Sequence, residues 1–334
     1  MEVAFTECIP VTDASSVGEL RRSAMLAGQR LDFDETRAGE LALLATEVSR
    51  NVLIHGGGGH VILAGIKDQG NNLARILAMD KGPGIASVAQ ALSDGYSTAG
   101  SMGCGLGAMK RIATVLEIFT GPGGTIVLLE VGEAPQEQVQ IAGLALPYPG
   151  ERACGDGWMF HRGTEKTVVL LVDGLGHGLG AADATHEAIA TFQKHAEAGP
   201  GEILHRLHDA LRKTRGAVAA IAEVRPSKKS LIYAGVGNIS AVLLDSGRSR
   251  SLVSHNGTLG ALTPRIQEFQ SEWSRESILL LHSDGLHTRW DLGGYAGLLA
   301  KHPALIGAAL LRDFRRQRDD ASVVVIKNNR DLNQ

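Results

Sequence analysis

Four aspartates in the second half of the chain stand where a hard cation could be held. Asp156 lies in Gly155-Asp156-Gly157, and Asp173-Gly174 ends the run TVVLLV before Leu-Gly-His-Gly. Asp284-Gly285 ends SILLLHS, and Asp319-Asp320 directly precedes ASVVVI. Aspartates at strand ends can converge on one rim of a sheet. Mg²⁺ and Mn²⁺ take carboxylate and carbonyl oxygens together with water. Two such ions about 3.5–4 Å apart clamp an in-line phosphoryl displacement and acidify a bridging water. A single Asp-Gly at a strand end is most often only a turn; it is the ordered recurrence that points to a metal centre.

A second constellation occupies the first half. Glu47 and Asn51, four residues apart in a helical segment, share one face, and a carboxylate beside an amide oxygen suits a hydroxyl activator and a Mg²⁺ ligand. Asp80-Lys-Gly82-Pro-Gly84 follows an apolar run. An aspartate there can accept the exocyclic amine of adenine, and the two glycines let the chain approach a ligand closely. Gly103-Cys-Gly105-Leu-Gly107 opens a further helical stretch, where free backbone N–H groups cradle phosphates. Gly124-Thr125 closes the set. Each glycine motif alone is commonly a turn; their order is what suggests a nucleotide site.

These residues need elements to position them. The spacing predicts an opening strand, an amphipathic helix over 15–27 and a long helix over 35–54, in which Leu41, Leu44, Ala45, Val48 and Val52 form the core-facing stripe. A strand pair over 60–66 and 73–79 brackets a polar turn. The glycine-rich stretch over 80–107 holds a short helix near 88–92, a helix is expected over 109–116, and a strand over 125–131. The polar EAPQEQ stretch marks a joint. Residues 1–133 are expected as one domain, 134–138 as linker and 139–334 as the second domain. In that second domain short apolar runs at 168–172, 217–224, 231–234, 241–244, 278–281 and 323–326 alternate with helical stretches at 177–198, 203–213 and 303–314, the pattern of a layered α/β sandwich.

The set Glu47-x-x-Arg50-Asn51, Asp80-x-Gly82-x-Gly84 and Gly103-x-Gly105 resembles the GHKL ATPase and kinase superfamily. ATEVSRN, DKGPGI and DGYSTAG resemble in particular the RsbT-like small serine kinases of bacterial partner switching. The resemblance implies a Bergerat α/β sandwich in which Asn51 holds Mg²⁺, Glu47 assists the attacking hydroxyl, and Asp80 reads adenine. Residues 94–107 would form a lid over the triphosphate of ATP. The lid departs from the denser GLGLGL run, with Ser101, Cys104 and Gly107 at the altered positions. CGDGW, VDGLGHG, AGVGNIS, HSDGL and RDDASVVV resemble, in order, the SpoIIE/RsbX branch of the PPM-type phosphatases. That likeness implies a PPM-type αββα sandwich and two Mn²⁺ or Mg²⁺ ions. Asp173 would bridge them, the Gly174 carbonyl would ligate one, and Asp156, Asp284 and Asp319 would complete the shells. Asp320 is then a neighbour, His177 sits beside the site or exposed, and Asn238 is a loop residue near it. The fold class expected is therefore α+β. The partner implied is a STAS-domain anti-sigma-factor antagonist or stressosome-type protein, with room for a downstream regulator.

Formal net charge is −3 over 334 residues, with Lys and Arg scattered, so nucleic-acid binding is not expected. Three cysteines without paired spacing argue against a disulfide framework. No apolar run approaches a membrane span, and MEVAFTECIP lacks the form of a secretory signal; a cytoplasmic protein is expected. Three readings stay open. One is a kinase–phosphatase pair, another a phosphatase regulated by a nucleotide-binding or partner-sequestering first half, and the third a small-molecule phosphatase with an ATP sensor.

Overall fold

The computed structural model describes residues 2–68, 71–92, 105–133, 137–261 and 265–329. The chain forms two compact units, Met1–Pro135 with Tyr295–Asp313, and Gln136–Gly294 with Phe314–Gln334. Of the expected linker, residues 134–136 lie outside the described residues. The α+β class holds in both units.

In the first unit, β1 (Glu2–Val11), β2 (Gly59–Asp68), β3 (Asn71–Asp80), β4 (Val115–Gly121) and β5 (Gly124–Gly132) make one antiparallel sheet in the order β1-β2-β3-β5-β4. Helices α1 (Ala14–Arg30) and α2 (Glu35–Ile54) begin at Asp13 and Asp34. Those carboxylates accept from backbone N–H groups of the first turn that the helix itself leaves unpaired. The α2 stripe Leu41, Leu44, Ala45, Val48 and Val52 is buried with Val61, Leu63, Ile76 and Leu129 of the sheet in one core. Short α3 (Val88–Ala91) and α4 (Gly105–Ile112) follow β3. The helix expected over 109–116 stops earlier. Thr114 donates from both its N–H and its Oγ1 to the Glu130 carbonyl, at 2.8 and 2.9 Å, and this draws the chain into strand register with β5.

Every residue of β5 is buried, so its strand shows no in–out alternation, as expected when both faces of a sheet are covered. On the second face Arg75 and Glu130 form a buried ion pair at 2.6 Å. Helix α7 (Pro303–Phe314) groups with this unit although its sequence lies far downstream. Tyr295 stacks on Phe119, and the His302 N–H donates to Glu117 at 3.2 Å. Pro303 through Arg312 are all buried, the state of a helix that is apolar all round.

The second unit holds two antiparallel five-stranded sheets. One runs β13 (Phe269–Glu272), β10 (Ser230–Val236), β9 (Ala217–Arg225), β8 (Thr167–Gly174), β7 (Asp156–Arg162); α5 (Leu179–His195) packs on β7 and β8, and α6 (Pro200–Ala210) on β9 and β10. The other runs β12 (Arg248–Leu252), β11 (Ser240–Asp245), β14 (Ile278–His282), β15 (Ala321–Asn328), β6 (Val139–Leu146). β12, an edge strand reading RSRSL, is largely exposed, which is why it carries no apolar signal. No helix among the described residues is long and apolar enough to cross a membrane.

Candidate metal centre and nucleotide site

Asp156 opens β7 and Asp173 stands directly opposite it near the end of β8. Asp284 lies two residues beyond β14, and Asp319 two residues before β15. Both sheets of the second unit therefore contribute carboxylates. Asp173, Asp284 and Asp319 line one pocket of about 370 Å³ together with Leu175, Gly176, Asn238 and Thr258. Asp156 is buried behind it, accepting from the Ser283 hydroxyl at 2.6 Å. Asn238 donates to the Asp284 carboxylate at 2.7 Å. Gly174 has its N–H on the Gly155 carbonyl at 3.0 Å, and a side chain there would strike the Ala181 backbone. The turn out of β8 can thus lie flat against α5.

The two members of the Asp319-Asp320 pair face opposite ways. Asp320 is 2% exposed, and its two oxygens accept from the Tyr148 and Gly155 N–H groups at 2.7 and 2.9 Å. It ties loops together, while Asp319 faces the pocket. His177 bonds Glu151 at 2.6 Å, stacks on Tyr148 and stays half exposed. Behind Asp284, the buried His282 is held in one neutral tautomer. Its Nδ1 lies 2.8 Å from the Ser283 carbonyl, and its Nε2 accepts from Trp290 at 3.1 Å. Neither Ser283 nor the orientation of Asp320 stands out in the sequence; the one available signal for Ser283 is its place beside Asp284.

Electrostatics single out this cluster. Burial, and next the charges of Asp156, Asp284, Asp319 and Asp320, push the Asp173 carboxyl far above the ordinary carboxylate range. Burial also raises Asp156, opposed by the Ser283 hydroxyl, and burial followed by the Asp284 charge raises Asp319. Carboxylates crowded in this way lack positive charge, and divalent cations fit that deficit. Among the described residues no three such side chains close into a preformed cage. An open pocket suits an ion that keeps several waters.

A pH dependence follows. Groups with raised folded-state pKa bind more protons folded than unfolded, so the metal-free fold loses stability as pH climbs from the carboxylate range toward the raised values. Ions that displace those protons should bind more tightly as pH rises. The gain in Tm on adding Mn²⁺ is therefore expected to grow between pH 5.5 and 8, with net proton release seen by calorimetry in buffers of different ionisation enthalpy. A gain independent of pH, with no proton release, would contradict the assignment.

In the first unit several of the residues expected to bind nucleotide lie close together. Asp80 ends β3, and its Oδ1 accepts from the Gly82 and Thr125 N–H groups at 2.8 and 3.1 Å. Thr125 thus acts through its backbone, with its hydroxyl 3.2 Å from Thr120. Gly84 has φ +81, and a side chain there would strike the Gly121 carbonyl. A Cβ on Gly82 would lie 2.6 Å from the His55 carbonyl, so the Asp80 turn sits tightly against the C-terminal end of α2. One turn back on that helix, Asn51 lies 3.9 Å from where a Gly105 side chain would begin, at the first residue of α4. Gly107 is buried within α4. Glu47 is a quarter exposed, 4.0 Å from Arg50. Gly103 and most of the expected lid lie outside the described residues.

Comparison with known proteins finds two families along the chain, the second of which also spans Tyr295–Asp313. Residues 163–329 match the family described as Stage II sporulation protein E, and residues 10–131 match the histidine kinase-like ATPase domain. The serine/threonine-protein kinase RsbT of Bacillus subtilis is 27% identical over 105 residues, 31% of this chain and 79% of that protein. The phosphoserine phosphatase RsbX of the same organism is 24% identical over 152 residues, 45% of this chain and 76% of that protein. A crystal structure of RsbX in complex with magnesium superposes with a TM-score of 0.52 at 19% identity, covering 64% of this chain and all of that one. The chain thus belongs to the SpoIIE family, as a fusion of a histidine kinase-like ATPase domain with a PPM-type phosphatase domain.

Proposed function

We propose that the chain is a bifunctional partner-switching regulator. The second unit removes phosphate from phosphoserine or phosphothreonine of a protein substrate. The first transfers phosphate from ATP to a serine or threonine, and a STAS-domain antagonist is the partner class. The observation that carries the phosphatase half is the meeting of Asp173, Asp284 and Asp319 from two sheets around one open pocket, with Asp156 immediately behind.

Asp156, Asp173, Asp284 and Asp319, with the Gly174 carbonyl, would hold the ions. Two Mn²⁺ or Mg²⁺ supply Lewis-acid charge and lower the pKa of water at neutral pH. The protein's own part is orientation: Ser283 fixes Asp156, Asn238 fixes Asp284, and Asp320 anchors the loops from which the pocket is built. Such supporting bonds commonly matter 10–100-fold for metal affinity.

In the first unit, the backbone N–H groups of Gly82 and Thr125 occupy Asp80 Oδ1. That leaves Oδ2 to accept the exocyclic amine of adenine. Asn51 beside the start of α4 would take Mg²⁺ while N–H groups of that first turn face phosphate. Glu47, one turn earlier, would assist the attacking hydroxyl; positioning and charge neutralisation account for most of the catalysis in such transfers.

The test is direct. Incubated with Mg²⁺-ATP and an unphosphorylated STAS domain, the full chain should place phosphate on one serine or threonine. With Mn²⁺ and no nucleotide it should remove it. ATP binding without transfer would replace the kinase assignment by a nucleotide-sensing role. Hydrolysis of small phosphomonoesters but of no phosphoprotein would remove the partner-switching reading.

A further inference from the structure

Arg215, an exposed residue just ahead of β9, has no role in the metal assignment, yet it lies against Gly176, a residue that lines the phosphatase pocket. Its Nη1 is 3.6 Å from where a side chain on Gly176 would begin, and Gly176 lines the pocket beside Asp173. Its Nε and Cζ lie 2.6 and 2.7 Å from where a side chain on Gly180 would begin. The guanidinium therefore rests flat on the first turn of α5, in space that only glycine leaves open.

The fold does not explain that placement. Among the described residues Arg215 makes no hydrogen bond and no ion pair. Helix α5 starts at Leu179 with Gly178 as N-cap and no side-chain cap bond, and a helix N-terminus repels a cation. Among the described residues no hydrogen bond or ion pair within the fold thus holds the charge there.

The reaction does have a use for it. Of the described residues lining the pocket three are aspartates, and none is Lys, Arg or His. Two divalent ions would do no more than cancel the charges of Asp156, Asp173, Asp284 and Asp319. A phosphomonoester dianion reaching that neutral cluster still needs positive charge, and a guanidinium offers paired N–H donors matched to phosphate oxygens.

We propose that Arg215 is the phosphate-binding residue of the phosphatase site, meeting the non-bridging oxygens of the incoming phosphoserine. The assignment rests on the phosphatase reading above. The contact exists before and during bond breaking, so it acts on substrate binding more than on turnover.

The test uses the full chain with Mn²⁺, p-nitrophenyl phosphate as substrate and inorganic phosphate as inhibitor. Arg215→Ala should raise KM about 10- to 100-fold, the range for one lost charge-assisted contact. The inhibition constant of phosphate should rise by the same factor, while kcat and the Mn²⁺ concentration for half-activation stay near those of the unmodified chain. Arg215→Lys, keeping the charge but not the fork, should fall between. Arg212→Ala, which removes a nearby arginine paired with Asp209, should change neither constant and so controls for loss of net charge. Unaltered KM and phosphate inhibition in Arg215→Ala would overturn this assignment and leave the phosphatase reading standing. An unmodified chain that hydrolyses no phosphomonoester with Mn²⁺ or Mg²⁺ would overturn both.

Discussion

Asp173→Asn should reduce Mn²⁺- or Mg²⁺-dependent phosphatase turnover on the order of a thousandfold or more. Loss of a residue that merely orients a ligand costs about 10–100-fold in metal affinity, and Asp173 stands in the cluster itself, opposite Asp156 and in one pocket with Asp284 and Asp319. The substitution keeps the shape of the side chain and removes the charge. Because burial and four neighbouring carboxylates already disfavour that charge, the metal-free variant should melt no lower than the unmodified chain at neutral pH. The Tm gain on adding Mn²⁺ should shrink. Asp284→Asn should lose activity similarly. Near-normal turnover in both variants would sink the metal assignment, and a collapse of the melting transition would show that Asp173 serves the fold.

The second large effect concerns nucleotide. Asp80→Asn should weaken ATP binding about 100-fold by calorimetry. The Gly82 and Thr125 N–H groups require an acceptor at Oδ1. The new amide would keep its oxygen there and turn a donor toward the adenine amine, leaving two donors face to face at a cost of about 2–3 kcal/mol. Asn51→Ala should lose the Mg²⁺-dependent part of binding, and with it phosphate transfer. Basal hydrolysis of p-nitrophenyl phosphate should be unchanged in both variants, since the described residues lining the phosphatase pocket belong to the second unit. No nucleotide binding by the unmodified chain would end the kinase reading. Point variants suit this question better than cutting the chain near residue 134, because α7 groups with the first unit and truncation would expose an apolar helix.

Much of the site was legible because its signals are local. The α2 stripe, the Asp80-Gly-Gly turn and the aspartates at strand ends are matters of helical period, turn chemistry and hydrophobic runs within about ten residues. β12 and β4 escaped for related reasons. β12 is a polar edge strand whose identity lies in pairing with β11. β4 is decided by Thr114 reaching the carbonyl of Glu130, sixteen positions away.

The sequence by itself determined which segments are strands ending in aspartate and which helix carries Glu47 and Asn51, because those properties are set by neighbours along the chain. Tertiary structure alone decided what each polar group does. Asp319 and Asp320 are adjacent and chemically identical, yet one faces the pocket and the other bonds Gly155, 165 residues distant. Ser283 serves Asp156 across 127 residues, and Asn238 serves Asp284 across 46. α7 has the apolar sequence of a buried helix, but only packing assigns it to the first unit. A carboxylate's partners and its pKa depend on which groups folding brings within a few ångströms, and residue type and local spacing carry no record of that distance.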